Sequence, residues 1–191
     1  MTGSFDPRPA LTPALESLLA QLVELTPTFR GLSVDAIVVV GLAAHGVSVA
    51  SVRTLSDQAA SVVVAGRKRS VELGLRPGFF LDGDAPSRLA TLCHELLHLD
   101  PQPPYALREE NRHARRSQTS LDAEAADLAT AAIAQLSPSS LLCLAHDGEV
   151  RLRCWRHRPV SETRDRAFTD ADVFDGIVRM HTPTDRRGGW W

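Results

Sequence analysis

Apolar residues recur with a helical period near the start of the chain. Leu15, Leu18, Leu19, Leu22 and Val23 share one face of a predicted helix, which Thr12 and Pro13 open and Pro27 and Gly31 close. Thr12 offers the capping hydroxyl. The pattern then changes. Residues 34–44, VDAIVVVGLAA, are rich in β-branched side chains and predict a buried strand. Shorter strand candidates follow at 60–66, 70–75 and 78–83. The basic turn GRKR between the first two reads as a solvated hairpin end rather than a phosphate site.

Helical spacing returns after Asp84 and Pro86 and stops before Pro101, Pro103 and Pro104. The polar stretch 106–120 predicts a helix with a charged outer face. Residues 120–136 predict another, with Ser120 as cap, Asp122 and Glu124 in the first turn and Pro138 ending it. Asp147-Gly148 lies between two alternating runs and predicts a β-hairpin, and DVFDGIVRMH a short closing helix. Residues 1–11 read as a flexible tail. The sum is one α+β domain over residues 12–191: a small mixed β-sheet, a central helix, a further helix, then a β-hairpin and closing segment over 140–191.

Composition narrows the classes. The 191 residues are enough for one domain with a real core, and 43% hydrophobic content argues against wholesale disorder. A net charge of −2 gives no bulk attraction to nucleic acid or membrane. Cys93, Cys143 and Cys154 have no CxxC spacing, so neither a disulfide framework nor a zinc ribbon is expected, and a reducing, cytoplasmic setting fits. The N-terminus has no apolar leader, and the longest apolar run is too short for a transmembrane helix.

The chemistry concentrates in His94-Glu95-Leu96-Leu97-His98. At about 100° per residue, His94 and His98 fall about 40° apart on one helix face. Leu89, Leu92, Leu96 and Leu99 fall between about 140° and 220° from His94, so the leucines pack inward while the histidines face a cleft. Glu95 sits at the shoulder. One helical turn can thus present two imidazole nitrogens to a Zn2+ ion, and a carboxylate beside them can act on an activated water. Glu95 is the expected general base and peptide-bond hydrolysis the expected reaction.

Through this motif and the helix that follows, residues 91 to about 136 resemble the zincin superfamily of zinc metallopeptidases. The resemblance implies a zincin-like fold, a bound zinc, and a peptide or protein substrate. A third protein ligand is expected. The metzincin continuation needs glycine and histidine where Pro101 and Pro104 stand, so that branch is excluded. His113, fifteen residues after His98, has a spacing similar to SprT-like and phage-type putative metallopeptidases, although Ala114 replaces their usual glycine. Glu124, in LDAEAADLATAAI, resembles the later-helix glutamate of gluzincins and of ImmA/IrrE-type peptidases. His113 is the first candidate for third ligand and Glu124 the alternative; the one that does not bind could orient a histidine by hydrogen bonding.

Other polar residues carry weaker signals. Asp100 reads as a helix-end residue or a ligand buttress. Cys93 reads as packed. His45, His146 and His157 have no partners at ligand spacing, and His181 and Arg186 lie in a tail that could close a cleft. Arg108, Arg112, Arg115 and Arg116 surround His113, but Glu109 and Glu110 interrupt them and no aromatics interleave, so a solvated face is favoured over DNA contact. A non-catalytic zincin-like module, or a DNA-associated protease, are the rival readings.

Overall fold

The computed structural model describes residues 6–43, 48–55, 61–108, 118–160, 162 and 165–180. It is an α+β chain. Helix α1, Thr12–Leu25, buries Leu15, Leu18, Leu19 and Leu22, as their spacing predicts. Its start differs from expectation. Leu11 is the cap residue and no side chain caps the helix. The Thr12 hydroxyl instead accepts a hydrogen bond from the Arg153 backbone N–H at 2.9 Å, which ties the helix to a distant strand.

The central sheet has three strands in the order β1 (Ile37–Gly41), β5 (Val71–Leu75), β2 (Ala50–Thr54). β1 runs parallel to β5, and β2 runs antiparallel to it at the sheet edge. Ile37, Val39, Val71, Leu73 and Leu75 point into the main core with α1. Val38 and Val40 point the other way, into a smaller cluster with Leu55, Val62, Val64 and Phe168. That second face is covered by β3 (Ser61–Val64), β4 (Arg67–Lys68) and β7 (Ala167–Phe168). The basic turn does lie on a hairpin: β3 pairs with β4 across Ala65-Gly66, both at positive φ, and Arg67 and Lys68 are exposed.

Three helices complete the layer on the main-core face. They are α3 (Ala85–Leu97), α4 (Gln118–Ile133) and α5 (Pro138–Ala145). Leu89, Leu92 and Leu96 of α3 share one core cluster with Leu121, Ala125 and Ala129 of α4. The alanines let the two helix axes approach closely, and α3 and α4 form the most extensive helix pair of the fold.

Several expectations are corrected. Residues 78–83 are not a strand; Pro77 starts a short helix, α2 (Pro77–Leu81), at its first position. Strand β2 has no strong apolar alternation and was not foreseen. Pro138 does not end α4. It opens α5, with Ser137 as cap. Asp147-Gly148 therefore joins a helix to β6 (Val150–Trp155), not two arms of a hairpin. The antiparallel partner of β6 is β8 (Val173–Val178), in the segment expected to be a closing helix. Its Gly176 and Val178 are buried at a spacing of two, the period of a strand with one face covered. The expected tail is tied down from Pro9 onward: Leu11 N–H donates to the Arg151 carbonyl and Arg151 N–H to the Pro9 carbonyl, each at 2.9 Å. Among the described residues, no helix is long and apolar enough to cross a membrane.

Candidate metal and active site

Helix α3 starts where the sequence places it. The Asp84 carboxylate accepts hydrogen bonds from the Ser87 backbone N–H at 3.0 Å and from its hydroxyl at 2.6 Å, and Pro86 occupies the first turn. Leu89, Leu92, Cys93, Leu96 and Leu97 are buried, which turns His94 and His98 to the opposite side. His98 is the C-cap residue but keeps helical backbone angles, so the one-turn relationship survives the helix end.

The two imidazoles converge. Their Nε2 atoms are 3.2 Å apart. Two nitrogens bound to one tetrahedral zinc at about 2.0–2.1 Å would be separated by roughly 3.3–3.4 Å, so the pair meets the spacing that one ion requires. Behind His94, Nδ1 lies 2.8 Å from Asp122 Oδ1, near the start of α4. An Nδ1–H donated to that carboxylate would leave the Nε2 lone pair on the side of His98. The donor set and its support suit zinc. Among the described residues, no third His, Cys, Asp or Glu joins the two in a group able to hold a metal ion.

Glu95 leans toward β2. Burial pushes its carboxyl up to about 7, against the opposing effects of a backbone hydrogen bond from Val52 and the positive charge of Arg76. Glu95 also lies where two clefts meet. One, of about 380 Å³, runs past His98, Ala50, Val52, Leu107 and Arg108. The other, of about 500 Å³, runs past His94, Thr91, Gln118 and Asp122. Ser48 and Ala50 line both. Both clefts are thus bounded on one side by the chain from Ser48 into β2 and on the other by the motif helix.

The prolines after the motif do not carry the chain away. Asp100 N–H donates to the Ala106 carbonyl at 2.8 Å, Leu99 pairs with Leu107, and Arg108 N–H donates to the His98 carbonyl at 2.7 Å. The chain folds back on itself and returns to His98. Residues 106–108 are therefore extended, not the start of a charged helix, and Arg108 is part-buried in the cleft rather than on a solvated face. Asp100 accepts from the Gln102 N–H at 2.9 Å and serves this turn.

The structure brings His94, Glu95 and His98 together. Glu124 lies on the shoulder of α4 opposite Asp122 and lines neither cleft. His113, with Arg112, Arg115 and Arg116, lies outside the described residues, as do His45, His181 and Arg186. Cys93 is buried, and burial pushes its thiol up to about 12, which makes it an inert packing residue. His146 contributes its carbonyl to the buried Arg88 guanidinium, and His157 is exposed. Asp122 and strand β2 were missed. Asp122 is exposed on its own helix, so periodicity alone gives it no role.

Comparison with known protein families, with curated proteins and with solved structures gave no match to the chain.

Proposed function

We propose that this chain is a zinc-dependent peptide hydrolase with a zincin-like arrangement of sheet and motif helix. The observation that carries the reading is the convergence of His94 and His98 Nε2 at 3.2 Å, with Asp122 behind one ring and Glu95 beside both. His94 and His98 would hold the ion, and His113 is the proposed third ligand. Arg108 and Gln118 bound the segment that carries His113, and each lines one of the two clefts. His113 is five residues from either, within a reach of roughly 17 Å. Glu124 lines neither cleft. Zinc held there would supply Lewis acidity toward a water and the scissile carbonyl.

The chain's own residues supply the rest. Glu95 accepts a proton from the attacking water and returns it to the leaving amine. A carboxyl held near pH 7 by burial can do both in one cycle. The Val52 hydrogen bond holds that carboxylate against β2. Among the described residues β2 is an edge strand, so an extended peptide can lie along it and bring a peptide bond over Glu95.

Metal analysis tests the reading. Wild type is expected to hold one zinc per chain, Glu95→Gln to keep it, and His98→Ala and His113→Ala to lose it. Full occupancy in His113→Ala with loss in Glu124→Ala would transfer the third position to Glu124. A wild type that takes up no zinc on reconstitution would sink the proposal. Zinc without Glu95-dependent cleavage of any peptide would instead leave a non-catalytic, metal-stabilised module.

A further inference from the structure

Arg108 stands apart from the other arginines removed from bulk water. Arg53 reaches Glu72 at 2.6 Å and the Pro159 carbonyl at 2.8 Å. Arg69 reaches the carbonyls of Ile37 and Val64, and Arg88 those of Phe80 and Leu144. Arg153 reaches Glu16 at 2.8 Å. Arg108 is a half-buried residue, and no carboxylate or carbonyl among the described residues bonds to its guanidinium. It cannot shed its charge. A guanidinium without a protein partner beside a cleft leaves its donor fork open to an anion.

Its position is built. Two backbone features hold it: its own N–H bonded to the His98 carbonyl at 2.7 Å, and the pairing of Leu107 with Leu99. The Cα is thereby set at the His98 end of the motif. The cleft wall around it is apolar, formed by Ala50, Val52 and Leu107, and Glu95 lies in the same cleft. No ion pair joins Arg108 to Glu95. A guanidinium fork matches a carboxylate with two parallel hydrogen bonds, and the low polarity around it strengthens them.

We infer that Arg108 is a specificity-determining residue that receives a substrate carboxylate on the His98 side of the scissile bond, while an apolar side chain packs on Ala50, Val52 and Leu107. This rests on the peptidase reading above. The carboxylate has two possible sources: the C-terminus of the peptide, which would make the enzyme one that trims chain ends, or an acidic side chain within a longer substrate.

The test is a binding titration with the zinc-loaded full chain carrying Glu95→Gln, so that no probe is consumed. The probes are acetyl-Ala-Ala-Leu as free acid, the same peptide as its C-terminal amide, and acetyl-Ala-Ala-Glu amide. The free acid is expected to bind at least about ten-fold more tightly than its amide, about 1.4 kcal/mol. Adding Arg108→Gln should erase that difference with zinc content unchanged, and Arg108→Lys should restore part of it. Tight binding of the free acid alone assigns the C-terminus; equal binding of the Glu amide assigns the side chain. Equal affinity for all three probes, no binding of any probe, or a preference for a carboxylate that survives Arg108→Gln overturns the inference. Cleavage of a mixed peptide pool by wild type, read by mass spectrometry, checks the peptidase reading separately. Cleavage dependent on Glu95 with no carboxylate preference removes only the role of Arg108. An absence of such cleavage removes the peptidase reading itself.

Discussion

Asp122 Oδ1 lies 2.8 Å from His94 Nδ1, and this contact joins the N-terminal part of α4 to the last turn of the motif helix. It sets the tautomer of His94, aims its other nitrogen at His98, and makes the α3–α4 packing part of the site. The Asp122 side chain is 54% exposed and that of His94 only 13%, so the aspartate can be changed with little cost to the core.

Asp122→Ala should therefore weaken zinc binding by about 10–100-fold while the fold remains. Competition with a chromophoric chelator measures the affinity, and circular dichroism checks the fold. Asp122→Asn, which still offers an acceptor oxygen, should fall between wild type and Ala. Unchanged affinity in Asp122→Ala would show that the contact does not support the metal.

Glu95→Gln keeps the shape of the side chain and removes the carboxylate proposed as the base. Zinc content should be unchanged, and kcat for any peptide substrate should drop by about 10²–10⁴-fold. A smaller loss would mean that Glu95 is not the proton carrier.

Glu72 predicts a pH dependence of stability. It is buried on the second face of the sheet, 2.6 Å from Arg53 and 2.7 Å from Trp155 Nε1, with Arg158 also bonded to it. Burial raises its carboxyl, but the hydrogen bonds and charges of Arg53 and Arg158 more than offset this and hold it below the ordinary value of 4.5. A carboxyl depressed in the folded state contributes stability that is fully present above its unfolded value and is lost as pH falls through the folded one. Glu72→Gln should cost about 1–3 kcal/mol at pH 7, because both arginines keep contact with water. Urea unfolding should show the gap to wild type closing as pH drops below 4.5. A gap that stays constant to low pH would exclude the ion cluster as its cause.

Leu92 is fully buried directly behind the histidines. Leu92→Ala should destabilise the chain by about 2–5 kcal/mol in chemical denaturation. Zinc should still bind to the folded fraction, because the leucine acts on packing and touches no ligand nitrogen. A loss of zinc without a loss of stability would reverse that division of labour.

Where sequence and structure agree, the cause is local. The Asp84 cap, the leucine ridge and the shared face of His94 and His98 follow from bonds and angles within about four residues, so they are legible without knowledge of the fold. The hairpin at Ala65-Gly66 is legible for the same reason. The misreadings have the opposite character. DVFDGIVRMH looks helical in isolation and becomes β8 because β6 offers it an antiparallel register over six residue pairs. Thr12 looks like a cap, yet its hydroxyl serves Arg153, 141 residues away in sequence.

The candidate site divides along the same line. The sequence by itself determined the motif helix, its orientation toward a cleft and the exclusion of a metzincin-type third ligand, because helix period and proline sterics are local. Only the tertiary structure decided that Asp122 stands behind His94, that Val52 of an edge strand holds Glu95, and that Arg108 returns to His98. Those three relationships depend on long-range packing: alanines let α4 approach α3, β5 aligns β2, and the chain turns back after its prolines. No periodicity within a single segment encodes them.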